Sequence, residues 1–585
     1  MIRMTAGAQV LTKSRRVLPI VFAALLAGCA SRHGQQAESA PVVADDRSGQ
    51  SDQLPATPFA AETLYDLLVA EIGGQRQRYD LALGNYLKQA HQTRDAGVAQ
   101  RAYKIAVYVG ARQAALDAAL LWLELQPDDP DALHSSALEL TYAGRFEQAY
   151  TQMEKQLQAG GQPAFDVLAS AIGRQQAQDF AGHFAGLAKQ YPDVRELQLG
   201  QAVLLHHSGE YASAVALADQ LLAQDRDYVP ALMVKGRALN RMERHDEAVE
   251  SLAKAVQRHP DTHRLRLLYG RVLVHAGQLD QARQQFEYLA KQAPDNSDVL
   301  MSLALITLEN NMEQEAEQYF QRLLALKERS DSAHYYLGRL HEQQQKYQSA
   351  KDHYLAVGPG KEYMAAQAAL GRMLADQKKV DEALVLVKEA RQKNPAWSEP
   401  LFLLEAELLI NNDQPKKAVQ IYERALEGSP ESVNLLYARA MAYEKLNDLE
   451  GLERDLRAIL ALDAQNAAAL NALGFTLADQ TQRFEEAEAL ITQAYQLDGD
   501  DPAILDSMGW VQFRLGNLEQ AKKYLQMAYA RLPDAEIAAH LGEVLWVKGE
   551  RTAAESLWVK ALQASPGNQL LKETMKRLTG VGKKP

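Results

Sequence analysis

Only one side chain in the 585 residues has both the reactivity and the setting for covalent chemistry: Cys29, the sole cysteine, in the stretch "LLAGCAS" at 25–31. A lone thiol cannot close a disulfide within the chain, so it says nothing about an oxidising environment. Its use would be as a nucleophile. Small residues, Ala27 and Gly28, precede it, giving a peptidase room to grip the backbone there. Upstream lie Arg3, Lys13, Arg15 and Arg16, then an apolar run of 11 residues from Val17 to Ala27, broken by Pro19. That run is too short for a stable bilayer span, which takes about 20 residues. Charged, then apolar, then small is the layout of a secretory signal.

Leu26-Ala27-Gly28-Cys29 resembles the bacterial lipobox. The resemblance implies thioether attachment of a diacylglycerol to Cys29, cleavage before it, and acylation of the new amino group. Residues 1–28 are then a lipoprotein signal peptide and the mature chain is lipid-anchored. More than one acyl chain, at about 0.8 kcal/mol per buried methylene, gives stable anchoring. Ala30 rather than an aspartate follows the cysteine, which by lipoprotein sorting rules implies the periplasmic face of the outer membrane. Residues 29–58, rich in Ser, Gln, Ala, Pro and Asp, have little to bury and read as a flexible tether. No later stretch is apolar for 18 residues, so no other segment is expected to cross a membrane.

Other constellations fall short. His341-Glu342 begins like a zinc-protease helix, but Gln345 stands where the second histidine ligand belongs. His206 and His207 are adjacent and cannot face one metal from a helix. There is no glycine-rich phosphate loop and no nucleophile elbow. We expect no enzyme, no metal and no cofactor. A formal net charge of −12 argues against nucleic acid as a general partner.

What remains is repetition. From about residue 59 the chain is made of strong helix formers with almost no strand-like alternation. Small residues return at Gly236, Gly270, Ala304, Gly338, Gly371, Ala406, Ala440, Gly474, Gly509 and Gly542, spaced by 33–35 residues. Usually 12 positions later comes an alanine, as at Ala248, Ala282, Ala350 and Ala521, and then a proline, as at Pro260, Pro395, Pro430 and Pro533. Small residues let antiparallel helices approach, and proline ends the second helix. This resembles the tetratricopeptide repeat, with its period near 34 residues. The expected fold is an all-α tetratricopeptide-repeat superhelical solenoid of about 14–15 helix pairs over 59–578, followed by a C-terminal tail, 579–585. The pattern weakens toward the N-terminus, where 166–184 is irregular, and near Glu453 one pair is expected to be slightly spread.

Numbering the small residue as slot 8, slots 2, 5, 9, 12 and 13 of the first helix share one face. By resemblance to other tetratricopeptide-repeat proteins, these slots carry ligand-contacting groups. Slot 9 reads Arg237, Arg271, Leu305, Arg339 and Arg372, with Arg264 in a neighbouring slot. Two readings stand: arginines that pair with carboxylates on the next helix and hold the stack, or a basic groove for an acidic segment or terminal carboxylate. Farther on, Phe475 and Trp510 take slot 9 while Phe513 and Trp546 take slot 12. These aromatics are either core filling or an apolar anchor site.

Taken whole, the lipobox, the tether, "LYDLLVAEIGGQRQRYDLALGNYLKQAHQTRDAGVAQRAYKIAVY" at 64–108 and the long array resemble the LbcA-type outer-membrane lipoproteins of pseudomonads. That resemblance implies an adaptor that binds a periplasmic carboxyl-terminal processing serine protease and brings it peptidoglycan cross-link hydrolases as substrates. The alternative is an assembly factor of an exopolysaccharide or pilus secretion system, the role of other outer-membrane repeat lipoproteins.

Overall fold

The computed structural model describes residues 60–580. The signal segment 1–28, Cys29, the rest of the tether to 58, and 581–585 of the tail lie outside the described residues. Among the described residues there are 31 α-helices and no strand: fifteen antiparallel pairs and a closing helix, Gln569–Thr579. Contacts divide the chain into two units, one through Arg322 and one from Leu323, with the boundary inside the helix Glu313–Ala325.

The repeating small residues do the packing that their spacing predicts. A Cβ added at Gly236 would meet Leu252 at 2.8 Å, one at Gly270 would meet Phe286 at 2.9 Å, and one at Gly509 would meet Leu525 at 2.5 Å. Each large partner lies on the second helix of the same pair. Gly542 lies beneath the Trp558 indole in the same way. The alanines of the second helices, among them Ala248, Ala282, Ala350 and Ala521, are fully buried. Pairs turn over through helix C-caps that need a left-handed residue. At Gly277 (φ 72°) the Gln278 amide donates to the Leu273 carbonyl at 2.9 Å and the Gly277 amide to Val274 at 3.0 Å, closing the first helix. New pairs start on capping side chains such as Asn296, Ser432, Asn466 and Asp501, and the closing helix on Asn568.

In the unit through Arg322, the irregular stretch is a short helix, Phe165–Ala171, and a long one, Arg174–Gln190. Aromatic packing replaces the small-residue pattern there: the Phe165 and Phe184 rings lie 5.3 Å apart, and Gly200 of the next helix fits under Phe184. In the unit from Leu323, the pair expected to be spread is in close contact instead. Gly451 sits one position before the alanine slot, and a Cβ on it would meet the Tyr443 ring at 2.8 Å. In both units, first helices of successive pairs touch directly, as Val229–Arg241 does with His263–His275 and Ala467–Gln480 with Pro502–Arg514. Within each unit the first helices thus form a layer, and every candidate residue of the groove lies on a first helix.

Candidate functional site

In the unit through Arg322, Arg237 is exposed on Val229–Arg241 and lies near His206 and His207. Burial above all, then the charges of His207, Arg237 and Arg241, push the His206 imidazole down to about 4. Its Nε2 is buried without a hydrogen bond, as suits a neutral ring. Arg264 and Arg271 share the helix His263–His275; Arg264 is exposed, while Arg271 is half-buried with an unpartnered Nε. In the unit from Leu323, Arg339 lies 6.0 Å from the Tyr335 ring, and Arg372 donates from Nε to the Ala368 carbonyl at 3.3 Å. Both act on Glu342. Burial raises that carboxyl; the Tyr354 hydroxyl, donating at 2.5 Å, and the two arginines oppose the rise.

Among the described residues, Arg264, Arg271, Arg339 and Arg372 form no ion pair. The arginines that do bridge one pair to the next are others: Arg283 to Glu315 at 3.7 Å, Arg457 to Glu486 at 2.6 Å and, from the closing helix, Arg577 to Glu543 at 2.6 Å. Ion-pair glue is therefore not what these four supply.

The aromatics are more enclosed than an open anchor site requires. Phe475 is 6% and Trp510 7% exposed, while Phe513 and Trp546 are half-buried. Trp510 packs 5.2 Å from Phe513 and 4.4 Å from the His540 ring, and its Nε1 donates to Asp479 at 3.2 Å. Trp546 stacks on Trp558 at 5.8 Å with the Arg551 guanidinium 5.1 Å from its ring. Beneath Trp510 lies a buried pair, His540 Nδ1 against the Asp506 carboxylate at 2.9–3.0 Å.

Beside this pair is a cavity of about 200 Å³, lined by Tyr437, Asn471, Phe475, Asp498, Asp501 and Ser507 among others. Of these, sequence reasoning kept only Phe475 as a candidate site residue; Asn471 matches one position of a chaperone-binding carboxylate clamp but stands alone in doing so. The signal was present: Tyr437, Asn471 and Asp506 are the slot-5 residues of three consecutive repeats, three positions before Ala440, Gly474 and Gly509.

At the other end of the described chain, the first helix, Ala61–Gln75, presents Leu64, Tyr65, Leu68 and Ile72 to solvent, four large apolar side chains at helical spacing. Among the described residues, no group of three or more His, Cys, Asp or Glu is placed to hold a metal ion, and no helix is long and apolar enough to cross a membrane.

Two families match parts of the chain: "Cytochrome c-type biogenesis protein H TPR domain" over 196–334, and "Tetratricopeptide repeat" over 403–451 and 507–569. The TPR repeat-containing protein PA4667 of Pseudomonas aeruginosa is 43% identical over 575 residues, covering 97% of each chain. Bacteriophage adsorption protein A of Escherichia coli is 29% identical over 114 residues, 20% of this chain and 11% of that one. Among solved structures, Naa15/Naa10 bound to HypK-THB aligns over 89% of this chain and 96% of that one, at 14% identity and a TM-score of 0.37.

Proposed function

We propose a role for this chain from the premise that it belongs to the family of TPR repeat-containing proteins, whose fold serves as a scaffold for protein partners. The chain is an adaptor, anchored through a lipidated Cys29 to the periplasmic face of the outer membrane. It binds a carboxyl-terminal processing serine protease and the peptidoglycan cross-link hydrolases that the protease degrades. The chain itself does no chemistry; it holds enzyme and substrate on one body and so raises their local concentration.

The observation that carries this reading is that Arg264, Arg271, Arg339 and Arg372, all on first helices, make no ion pair while other arginines join one pair to the next. Guanidinium forks left open suit carboxylates of a partner segment or of a chain terminus. The apolar row Leu64, Tyr65, Leu68 and Ile72 supports it as well, lying in the 64–108 stretch where the resemblance to the adaptor lipoproteins is most specific. Under this reading the row docks the protease.

The test is a partner pulldown from solubilised envelopes. Wild type is expected to recover a processing protease together with wall hydrolases. A variant with Arg237, Arg271, Arg339 and Arg372 changed to alanine should fold, by circular dichroism, and lose at least one partner. Equal recovery of every partner removes these arginines as docking groups; recovery of a polysaccharide or pilin apparatus in place of the protease removes the adaptor.

A further inference from the structure

The apolar row on the helix Ala61–Gln75 lies on a face that the regular pairs bury. Ala70 and Ala82, both fully buried, take slot 8 and the alanine position of the first pair. Slots 3, 6 and 10 of its first helix are then Tyr65, Leu68 and Ile72. In regular pairs these slots are buried, as at Ala231, Val234 and Ala238, or Ala469, Ala472 and Thr476. The closing helix shows what they pack against. It has no second helix, yet its slots 3 and 6, Leu571 and Thr574, are buried, and it touches only the pair before it among the described residues. These slots therefore take a preceding pair, and the first helix has none among the described residues. Terminal repeats of a solenoid need a polar outer face for solubility. The closing helix has one, with Lys572, Glu573 and Lys576 exposed. The first helix instead leaves Leu64, Tyr65, Leu68 and Ile72 48–68% exposed.

The sequence just before it supplies no matching row: large apolar residues in 30–59 are Val42, Val43, Leu54 and Phe59 only, at no helical spacing. The exposed stripe is complementary to itself. Set antiparallel to a copy and centred on Leu68, Leu64 faces Ile72, Leu68 faces Leu68, and Glu62 meets Gln75 and Arg76. Arg76 is exposed and makes no ion pair among the described residues. Glu62 meets Lys88 at 3.5 Å, but that ammonium lies closer to Asp66, at 2.8 Å. A parallel arrangement would set Glu62 against Glu62. The other carboxylates of the helix are turned inward, Asp66 to Lys88 and Gln89, Glu71 to Tyr86 and Arg101. The antiparallel pair thus buries no unpaired charge. It is an isologous contact, which closes at two copies. Its two N-termini stand one helix length apart, about 22 Å for 15 residues. The chain from Cys29 to Ala60 reaches up to about 100 Å, so both copies can be anchored in one membrane.

We propose that the first helix of a second copy covers this face, antiparallel across a twofold axis at Leu68, whenever no partner protein is docked there. The adaptor reading gives the same row to the protease, and the consequence for regulation rests on that reading. Pairing and protease docking exclude one another, so the free adaptor masks its own docking site.

The experiment is thiol cross-linking of full-length chain in isolated envelopes with a short bismaleimide. Leu68→Cys, an exposed change, should gain a band at twice the chain mass. Wild type and Val385→Cys, exposed elsewhere, should lack it. Ala61→Cys and Gln75→Cys should cross-link to each other when co-expressed, and neither to itself. Added processing protease should deplete the Leu68→Cys band. No Leu68→Cys band overturns the proposal, as does Ala61→Cys joining itself, since the copies would then run parallel. A band that persists at saturating protease overturns the masking. The two readings fail separately: a chain that recovers protease but shows no cross-link keeps the adaptor and loses the pairing. One that cross-links but recovers no protease keeps the pairing and loses the adaptor.

Discussion

At the residue scale, the fold depends on side chains too small to hold helices apart. Gly270 is the clearest case, because Phe286 occupies the space a Cβ would need. Gly270→Val should cost about 1–3 kcal/mol through overpacking. Hydrogen exchange should speed up first in 263–292, and adding Phe286→Ala should restore part of the loss, because the two volumes compete for one space. Additive losses would show that the glycine is not there for Phe286. These offsets were legible in the sequence, since a small residue and its large partner recur at fixed separations. The slot-5 pocket was less legible. Its residues are an ordinary Tyr, Asn and Asp, and their meeting depends on how closely three helices approach, which spacing does not encode. Whether the arginines pair was likewise open until their neighbours had positions.

A second residue-scale prediction concerns His206. Folding lowers its pKa from 6.5 to about 4, with burial the largest cause. His207 shifts the same way, also through burial first. The unfolded chain therefore binds more protons than the folded one between those values. Stability should fall as pH drops from 6.5 toward about 4 and gain no further slope from this group below that. Carboxylates titrate in the same window, so the informative quantity is a difference. Urea midpoints between pH 7.5 and 5 should decline less in His206→Leu than in wild type; equal declines would rule out a neutral buried imidazole.

At the element scale, each helix is too short to persist alone and is held by its caps and its neighbours. Among the described residues, the closing helix Gln569–Thr579 packs only against the pair before it, Ala535–Val547 and Arg551–Ala564. It is held by the Asn568 cap, whose Oδ1 accepts from the Leu571 amide at 2.8 Å, by buried Leu571, and by Arg577, which donates to Glu543 at 2.6 and 2.8 Å. Asn568→Ala should cost about 1 kcal/mol. With one flank open, that loss should appear as fraying of 569–579 and faster exchange in the pair before it, while the pairs around Gly236 and Gly270 keep their protection. Loss of protection throughout would mean that the stack melts as one block. The same local logic explains why 165–190 was hard to read. Aromatic packing of Phe165, Phe180 and Phe184 replaced the small-residue signal there, so periodicity lapsed although the helix pair did not.

At the scale of the whole molecule, a scaffold that holds an enzyme and its substrate on one chain has a kinetic signature that an activator lacks. Effective concentration rises only while both partners sit on the same copy. With protease and hydrolase fixed and purified adaptor added, the degradation rate should climb, peak near the concentration of the scarcer partner, and then fall. Excess adaptor separates the two partners onto different copies. An adaptor that merely switches the protease on would give a rate that saturates and stays high. Variants that loosen one partner have their own signatures. A change that weakens only substrate docking should lower the peak and move the falling limb to higher adaptor concentration, because weakly held substrate is less easily sequestered alone. A change that weakens only protease docking should do the same when protease is the partner in excess. A flat plateau in wild type, at adaptor well above both partners, would remove co-docking as the mechanism even if both partners bind.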